Sequence, residues 1–392
     1  MNDTQILTGK KYIYIDTTQI TRNSMLWGFL ELGCDIIRPE IKVDIHSCDE
    51  EDVNALMIAV KSFDVAVTQN FVPAVAEACH RLNIKYISWV YDSPQMALFR
   101  KEAEYETNYI FMFDKAGMDY VLGHHRINIY HLPLASNTTE ASLVNITDED
   151  IQKYRCEVSF VGSLYNKDYL YNGYIPTELS KELEQKLSDK VGRYSCLDHY
   201  EAILGNETVD KLCTYMDMSG TKENGITAGF LADQLFAIPI IARNERIMYI
   251  NRASERYDTR LYTREENVKE IKAEVFPPVN PEDEMYKAFY SSKINLNITH
   301  RGIISGIPQR VFDVMAVGGF VLSNYQSEIE ELFEIGKEIE VFSDIKEFDE
   351  KIEYYLTHEN ERVKIGINGY LKAKELYNYK NATKNMLEKV FG

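Results

Sequence analysis

Residues 294–324 constrain the fold most strongly, because their pattern specifies four consecutive elements. Apolar residues at 294, 296 and 298 alternate with asparagines, which is typical of a half-buried strand. A loop with two glycines follows, and Pro308 then stands where a helix can begin without losing a hydrogen bond. Gly318 and Gly319 are suited to ending that helix. The segment therefore predicts a strand, a loop, a helix and a short second strand.

Two charged residues of this predicted helix suggest chemistry. Arg310 lies in the first turn, where a cation opposes the positive end of the helix dipole. Together with the free N–H groups of a helix start, it would form an anion site suited to phosphate. Asp313 lies three residues on, on the same face, and could accept hydrogen bonds from a ribose. The alternative is that Arg310 and Asp313 pair with each other on the helix surface.

The first 140 residues alternate strand and helix patterns, which predicts a parallel sheet with helices on both faces. No Gly-x-Gly-x-x-Gly follows the first strand, which argues against an NAD-type dinucleotide site. The predicted strands are Tyr12–Ile15, Asp35–Arg38, Asp64–Thr68, Lys85–Val90, Tyr109–Phe113 and Ile127–Leu132. The predicted helices are Ser24–Leu32, Asp49–Phe63, Ala74–Leu82, Met96–Tyr105 and Ala116–Leu122.

The alternation restarts after a polar stretch at 136–150. A predicted strand, Glu157–Val161, runs into Gly162, and Lys167 lies close behind. A glycine loop with a nearby lysine can cradle a phosphate, although a plain turn is the alternative. Residues 168–243 are predicted to be mostly helical. The arginine-rich segment 243–264 is expected to form a solvated helix face, with one arginine turned inward.

Composition excludes several classes of protein. The formal net charge of −18 argues against nucleic-acid partners and anionic membranes. The longest apolar stretch, 228–242, is too short to span a bilayer, and the first residues lack the apolar core of a signal peptide. The six cysteines form no Cys-x-x-Cys pair, which argues against zinc and for reduced thiols. These observations predict a cytoplasmic protein without a membrane span.

The helix at 310–319 also resembles a known motif. Asp313-Val314-Met315-Ala316, followed by two glycines, resembles the second half of the nucleotide-binding motif of GT-B glycosyltransferases. That motif has two glutamates separated by seven residues, and the first of them corresponds to Ser305 here. An arginine before the acidic residue resembles the bacterial spore-maturation (CgeB-like) branch, which carries a glycosyl transferase group 1-like C-terminal domain.

The resemblance implies an α/β fold with two Rossmann-like, doubly wound domains that face each other across a cleft. It implies an N-terminal acceptor-side domain at 1–140 and a C-terminal nucleotide-sugar domain at 150–370. The helix at 371–392 would cross back onto the N-terminal domain. Residues 131–150, which include a Leu-Pro pair, would form the hinge.

The same resemblance implies a hexosyltransferase-like enzyme that moves a sugar from a nucleotide diphosphate sugar. A UDP-sugar is the expected donor, and the acceptor is a glycan, a protein or a small molecule. No cofactor besides the donor is expected, and no metal, since no Asp-x-Asp pair occupies a suitable loop. The predicted nucleotide-sugar-binding residues are Gly162, Lys167, Gly302, Arg310, Asp313 and Tyr325.

Two residues are candidates for catalysis. Asp92 follows an apolar strand and precedes a turn, so it could deprotonate the acceptor. Asp16 is placed in the same way, but the two threonines after it favour a helix cap. His300 follows the strand of the central segment and could reach the donor, with a purely structural hydrogen bond as the alternative. If the reaction retains configuration, no base is required at Asp92.

Two other functions are compatible with these patterns. The first is a different chemistry on the same fold, such as epimerisation of a sugar nucleotide. The second is a protein that binds a nucleotide or glycan without catalysis. Ser305, in place of the first glutamate of the motif, keeps this second alternative open.

Overall fold

A computed structural model describes residues 9–17, 22–41, 48–165, 175–191, 203–216, 218, 225–266 and 268–392. The described residues divide into two compact units. The N-terminal unit contains the described residues up to Asn137 together with Ser305–Gln309 and Lys374–Gly392. The C-terminal unit contains the described residues of Thr138–Ile304 and of Arg310–Ala373. Each unit has one six-stranded sheet, and every pairing between its described strands is parallel.

The sheet of the N-terminal unit has the strand order β2-β1-β3-β4-β5-β6. Its strands are β1 (Lys11–Ile15), β2 (Asp35–Ile37), β3 (Val65–Gln69), β4 (Lys85–Val90), β5 (Asn108–Met112) and β6 (Ile129–His131). The helices that alternate with them are α1 (Arg22–Glu31), α2 (Glu50–Val60), α3 (Pro73–Leu82) and α4 (Lys115–His124). The 3-10 turns Met96–Phe99 and Lys101–Glu104 replace the helix predicted between β4 and β5.

Local sequence explains where the helices of this unit begin and end. The side chain of Asp49 accepts a hydrogen bond from the N–H of Asp52 and caps α2. Pro73 opens α3, and Asn83 ends it in a left-handed conformation. All five residues of the strand β3 are buried, as expected for a central parallel strand that is covered on both faces, although its last two, Thr68 and Gln69, are polar.

The sheet of the C-terminal unit has the strand order β12-β11-β10-β7-β8-β9. Its strands are β7 (Cys156–Val161), β8 (Thr259–Tyr262), β9 (Glu274–Phe276), β10 (Ser292–Asn297), β11 (Val321–Asn324) and β12 (Glu340–Phe342). The order reverses between β7 and β10, since the chain first adds strands on one side and then on the other. Such a reversal leaves a crevice at the carboxyl ends of the two strands, where open α/β sheets bind ligands.

Most of the helices that follow β6 belong to the C-terminal unit. Those before β10 are α5 (Thr138–Leu143), α6 (Asp148–Tyr154), α7 (Thr177–Leu187), α8 (Asn206–Leu212), α9 (Ala228–Ala232), α10 (Ile238–Ser254) and α11 (Glu284–Ser291). Those after β10 are α12 (Gln309–Met315), α13 (Ser327–Leu332), α14 (Ile345–Thr357) and α15 (Glu359–Glu375). The last helix, α16 (Tyr379–Phe391), belongs to the N-terminal unit. The π-helical turn Asp233–Ala237 leads directly into α10, and the 3-10 turns Ser188–Lys190 and Cys213–Tyr215 follow α7 and α8.

The central strand β10 differs from its prediction. It was expected to be half buried, but five of its six residues are buried and the asparagines lie inside. Asn295 donates hydrogen bonds to the carbonyl oxygens of Phe289 and Phe320. Asn297 donates to the hydroxyls of Thr299 and Ser323. The alternation therefore marks an apolar face and a hydrogen-bonded polar face, both covered by protein.

Two helix boundaries and one strand also differ from the sequence predictions. The helix predicted from residue 371 to the C-terminus is two helices, because α15 ends at Glu375 and α16 begins at Tyr379. The helix α4 continues through Gly123, which was predicted to follow its end. The strand β12 was not predicted, since a three-residue strand is too short to show a period.

Contact between α1 and α16 depends on Gly28. A Cβ atom at this position would lie 2.2 Å from Oγ1 of Thr383 and 2.6 Å from the carbonyl oxygen of Tyr379. The second atom belongs to the backbone and cannot rotate away. The C-terminal helix therefore packs on the N-terminal unit at a distance that only glycine permits.

We expect Gly28→Ala to destabilise the N-terminal unit by about 1–3 kcal/mol, the usual cost of overpacking. Denaturant unfolding measures this change. Gly123→Ala is the matched control, because a Cβ at this helical position has no heavy atom within 4 Å. The control should be neutral or stabilising by up to about 1 kcal/mol. Equal stability of the two variants would contradict close packing of α1 and α16.

Candidate anion-binding site

Arg310 joins the carboxyl ends of the two strands at which the order reverses. Its Nε donates to the carbonyl oxygen of Val161, at the end of β7, over 2.5 Å. Its Nη1 donates to Oδ1 of Asn297, the last residue of β10, over 2.9 Å. The guanidinium lies 4.8 Å from the centre of the Phe160 ring. The cation predicted at the helix start therefore lies at the carboxyl ends of β7 and β10, where open α/β sheets bind ligands.

Arg310 does not form the surface ion pair with Asp313 that was the alternative in the sequence. Its hydrogen bonds go to Val161 and Asn297, and no ion pair joins it to Asp313 within the described chain. Asp313 is partly buried, and its charge partly offsets the lowering of the Arg310 pKa by burial and Arg246. Asp313 therefore acts on Arg310 through space, and its predicted contact with a ribose stays a prediction.

Gly162 provides the space that the guanidinium occupies. A Cβ at this residue would lie 2.3 Å from Nη2 of Arg310, and the φ angle of +154° favours glycine. Its N–H donates to the carbonyl oxygen of Tyr262, so this group is not the free phosphate donor that the sequence suggested. Gly162 contributes to the candidate site by leaving room for the Arg310 guanidinium.

A second guanidinium lies in the same cluster. Arg246, on α10, donates to the carbonyl oxygens of Ser163 over 2.6 Å and of Ile298 over 3.1 Å. It packs 4.7 Å from the centre of the Tyr165 ring and is only 4% exposed. One arginine of the arginine-rich segment 243–264 was predicted to turn inward. Arg243 is buried as well, but it pairs with Glu270.

The two arginines repel each other. Burial and, to a smaller extent, the charge of Arg246 lower the pKa of Arg310 to about 9, which still leaves Arg310 charged at neutral pH. Among the described residues, no carboxylate forms an ion pair with either guanidinium. A buried cation without a counter-ion is costly. The cluster is therefore an electrostatic arrangement that an anion would complete.

His300 adds a neutral hydrogen-bond donor. Its Nδ1 accepts the N–H of Gly302 over 3.1 Å, so the proton of the neutral ring lies on Nε2. Burial and the charge of Arg246 lower its pKa to about 3. The ring packs 4.9 Å from that of Tyr165. His300 is therefore a donor at neutral pH, and the N–H of Gly302 is already used.

The loop after β7 is held by a carboxylate that sequence analysis missed. Glu265 accepts hydrogen bonds from the hydroxyl of Ser163 and from the N–H groups of Leu164 and Tyr165, at 2.6–3.0 Å. Burial alone would raise its pKa, but these bonds and one from Thr263 keep the pKa below its usual value. The predicted phosphate cradle is thus partly filled by the protein's own carboxylate.

A buried ion pair fixes the loop that carries His300. Arg301 pairs with Glu245, which is fully buried on α10 next to Arg246. One of its hydrogen bonds, from Nε of Arg301 to Oε2 of Glu245, measures 3.0 Å. The N–H of Thr299 donates to Oδ1 of Asn324 over 2.6 Å. These contacts attach the loop of His300 to α10, which carries Arg246, and to the end of β11.

The remaining predicted binding residues are less informative. Tyr325 follows β11, and its N–H donates to the carbonyl oxygen of Phe342. Its contact with a ligand stays a prediction. Lys167 lies outside the described residues.

Ser305, at the position of the absent glutamate, belongs to the N-terminal unit. Its hydroxyl and its N–H each donate to Oδ1 of Asp114 over 2.9 Å, and the N–H of Gly306 donates to the same oxygen. Asp114 is fully buried and also accepts from the hydroxyl of Ser93. Ser305 is thus an anchor for the segment that precedes Arg310.

Asp92, the predicted base, lies after β4 in the N-terminal unit. Its residue surface is exposed, but packing around the carboxylate displaces water and raises its pKa. The amide of Asn70 donates to Oδ2 over 2.7 Å and partly offsets this rise. A raised pKa makes this carboxylate a stronger base than an ordinary aspartate. Asp16 was expected to cap the next helix, but residues 18–21 lie outside the described part of the chain.

Among the described residues, no group of three or more His, Cys, Asp or Glu side chains is arranged to hold a metal ion. None of the helices described is long and apolar enough to cross a bilayer.

Comparison with known proteins identifies the fold. Residues 244–388 match a protein family described as glycosyl transferase-like. The matched segment is less than half of the chain. No curated protein sequence matches. A glycosyltransferase from Rickettsia africae ESF-5 has a similar structure, with a TM-score of 0.52, 12% identity, and coverage of 98% of this chain and 100% of that one.

Two further solved structures are similar. Anabaena HepE, in complex with UDP and glucose, has a TM-score of 0.51, 10% identity, and coverage of 97% and 99% of the two chains. AviGT4, a glycosyltransferase involved in avilamycin A biosynthesis, has a TM-score of 0.50, 10% identity, and coverage of 97% and 96%. The two parallel-sheet units and these likenesses define a GT-B fold, which confirms the predicted fold class. The family match supports a transferase enzyme.

We expect Gly162→Ala to weaken the binding of inorganic pyrophosphate at least tenfold, because the new methyl group would displace the guanidinium of Arg310. Calorimetric titration measures the affinity. Gly205→Ala is the matched control, since this glycine also has a positive φ, of +74°, but no heavy atom of the described residues within 4 Å of its Cβ position. If both variants bind pyrophosphate equally well, the space at Gly162 does not serve anion binding.

Proposed function

We propose that the protein is a glycosyltransferase that transfers a sugar from a nucleotide diphosphate sugar to an acceptor hydroxyl. One observation carries the proposal: two guanidiniums without a described carboxylate partner lie at the strand-order reversal of the second sheet. This is the position at which α/β sheets bind nucleotides. The CgeB-like branch remains our proposal for the finer family, on the residues 310–319.

The charge of the cluster fits a diphosphate. Arg310 uses Nε and Nη1 for the protein, while Nη2 has no hydrogen-bond partner among the described residues. His300 offers Nε2–H, which likewise has none in the described part of the chain. Two cations and neutral donors favour an anion with more than one negative charge. The repulsion between the arginines would be relieved when the diphosphate binds.

A UDP-sugar is the proposed donor. Anabaena HepE, which shares the fold, has been solved with UDP and with UDP-glucose. Asp313, on the same helix as Arg310, would accept hydrogen bonds from the ribose hydroxyls. Tyr325 and the loop after β9 would lie along the nucleoside. The acceptor is a glycan, a protein or a small molecule.

The proposed chemistry stabilises the leaving group electrostatically. The acceptor oxygen forms a bond to the anomeric carbon, the bond from that carbon to the diphosphate oxygen breaks, and UDP leaves with the electron pair. Arg310, supported by the field of Arg246, would stabilise the charge that develops on the diphosphate. We propose that no metal is needed, because these cations supply the same charge. Asp92 would take the proton of the acceptor hydroxyl if the reaction inverts configuration.

Binding without catalysis is the second candidate, and one observation favours it. Ser305 replaces the first glutamate of the motif, and both its N–H and its hydroxyl donate hydrogen bonds to Asp114. Release of UDP from UDP-glucose in the absence of acceptor would exclude binding alone. Formation of an epimer of the donor would instead indicate an epimerase.

We expect wild-type protein to bind UDP at micromolar concentration, and Arg310→Ala to bind it roughly 10- to 100-fold more weakly, since a hydrogen bond to a charged group contributes about 1.5–3 kcal/mol. Arg246→Lys should also bind more weakly, because lysine cannot hold both carbonyl oxygens and the ring stack. Calorimetric titration with UDP, GDP and AMP measures the affinities and identifies the base.

Arg252→Ala is the matched control. This arginine lies on the same helix as Arg246, but it is exposed and pairs with Asp349. Its loss should change the UDP affinity by less than twofold. Wild-type affinity in Arg310→Ala would make the arginine cluster structural and would contradict the proposed function.

A further inference from the structure

Two side-chain amides join the loops that follow β3 and β4 in the N-terminal unit. Asn70 follows the last residue of β3, and Gln95 lies in the loop after β4. The Oε1 of Gln95 accepts the N–H of Phe71 over 2.9 Å, and its Nε2 donates to the carbonyl oxygen of Phe71 over 2.8 Å. The amide of Gln95 thereby pairs with the backbone of Phe71 as a peptide group of a neighbouring strand would, and it joins the two loops. Asp92 lies between these two attachments.

Asn70 forms the second attachment and is aimed at Asp92. Its Oδ1 accepts the N–H of Tyr91 over 2.8 Å and that of Asp92 over 3.2 Å. Because both partners are N–H donors, the amide orientation is determined, and Nδ2 is left to donate to Oδ2 of Asp92 over 2.7 Å. One amide thus holds both the backbone and the carboxylate of Asp92.

The backbone of Asn70 is adapted to this task. Its φ angle of +62° lies in the left-handed region, which asparagine tolerates better than most residues. Its N–H donates to the carbonyl oxygen of Trp89, and its carbonyl oxygen accepts the hydroxyl of Thr68 over 2.6 Å. The turn is therefore fixed on both sides. Glycine could adopt this turn equally well, so the asparagine side chain is needed only for its contacts.

Asp92 is presented with one oxygen held and one available. Oδ2 is bound by Asn70, and Oδ1 has no hydrogen-bond partner among the residues described. Desolvation raises the pKa of Asp92 and the Asn70 hydrogen bond partly lowers it, and no charged group among the described residues contributes. Within the described chain, Asn70 is thus the one side chain that stabilises the ionised form of Asp92.

We propose that Asn70 is a positioning residue, which orients the Asp92 carboxylate so that Oδ1 can accept the proton of an acceptor hydroxyl. The inference rests on the proposed function, with inversion of configuration. In the step, the O–H bond of the acceptor breaks and its proton goes to Oδ1. The acceptor oxygen bonds to the anomeric carbon, and the diphosphate leaves with the electrons of the carbon–oxygen bond. Asn70 exchanges no atom in this sequence.

The test uses Asn70→Gly, which keeps the left-handed turn and removes only the amide. Release of UDP from UDP-glucose, with water as the acceptor, is measured across pH for wild type, N70G, D92N and the double variant. N70G should lower kcat at least tenfold and leave the calorimetric affinity for UDP within twofold of wild type. The acid limb of kcat/KM should move to higher pH, because the lost hydrogen bond favoured the ionised carboxylate.

The double variant separates positioning from general damage. If Asn70 acts through Asp92, N70G/D92N should be no slower than D92N alone. Asn83→Gly is the matched control, since Asn83 also has a positive φ, of +53°, but ends α3 at an exposed position. Wild-type kcat and acid limb in N70G, or additive losses in the double variant, would overturn the proposal.

A second measurement is independent of turnover. If wild-type protein releases no UDP from UDP-glucose, the proposed function fails. The ionisation of Asp92 is then followed by carbon-13 NMR of the aspartate carboxyls. A higher pKa of Asp92 in N70G than in N83G would support control of this carboxylate by Asn70. The same pKa in both variants would overturn it.

Discussion

The bridge that Arg310 forms between β7 and β10 is the contact on which the rest of the candidate site depends. Hydrogen bonds to Val161 and Asn297 place a guanidinium where the strand order reverses. Asn297 can accept because its own amide donates to Thr299 and Ser323. Gly162 is required because any side chain there would occupy the position of the guanidinium. The position of the Arg310 side chain thus depends on the start of α12, on the ends of β7 and β10, and on the absence of a side chain at Gly162.

This arrangement is unfavourable without a ligand. Arg246 and Arg310 lie close enough for one charge to lower the pKa of the other, and the described residues offer neither an ion-pair partner. The fold restrains both of them, since carbonyl oxygens, the Phe160 and Tyr165 rings and the Glu245–Arg301 pair hold the cluster in place. Preorganised cations of this kind stabilise charge without the cost of rearrangement during reaction. The repulsion between these two cations is the physical reason for proposing a diphosphate as the ligand.

Sequence periodicity predicted most of the fold, because strands and helices are local features. The parallel sheet of the N-terminal unit and the helix start after Pro308 were predicted from local patterns, whereas the pair of Rossmann-like domains was predicted from the family resemblance. Partners far apart in the chain could not be predicted. Arg246 contacts the carbonyl oxygen of residue 298, and Ser305 binds Asp114 across 191 residues. Glu265 was missed because a lone glutamate in a loop has no pattern, and the break between α15 and α16 because both helices are apolar on one face.

A crystal structure of the protein with UDP would test the anion site most directly. Phosphate oxygens should lie within hydrogen-bonding distance, about 3 Å, of Nη2 of Arg310. Its bonds to Val161 and Asn297 should be unchanged. The Nε2 of His300 should also face the diphosphate or the sugar. A diphosphate bound elsewhere, or an Arg310 side chain turned onto Asp313 beside a bound nucleotide, would contradict the anion site described above.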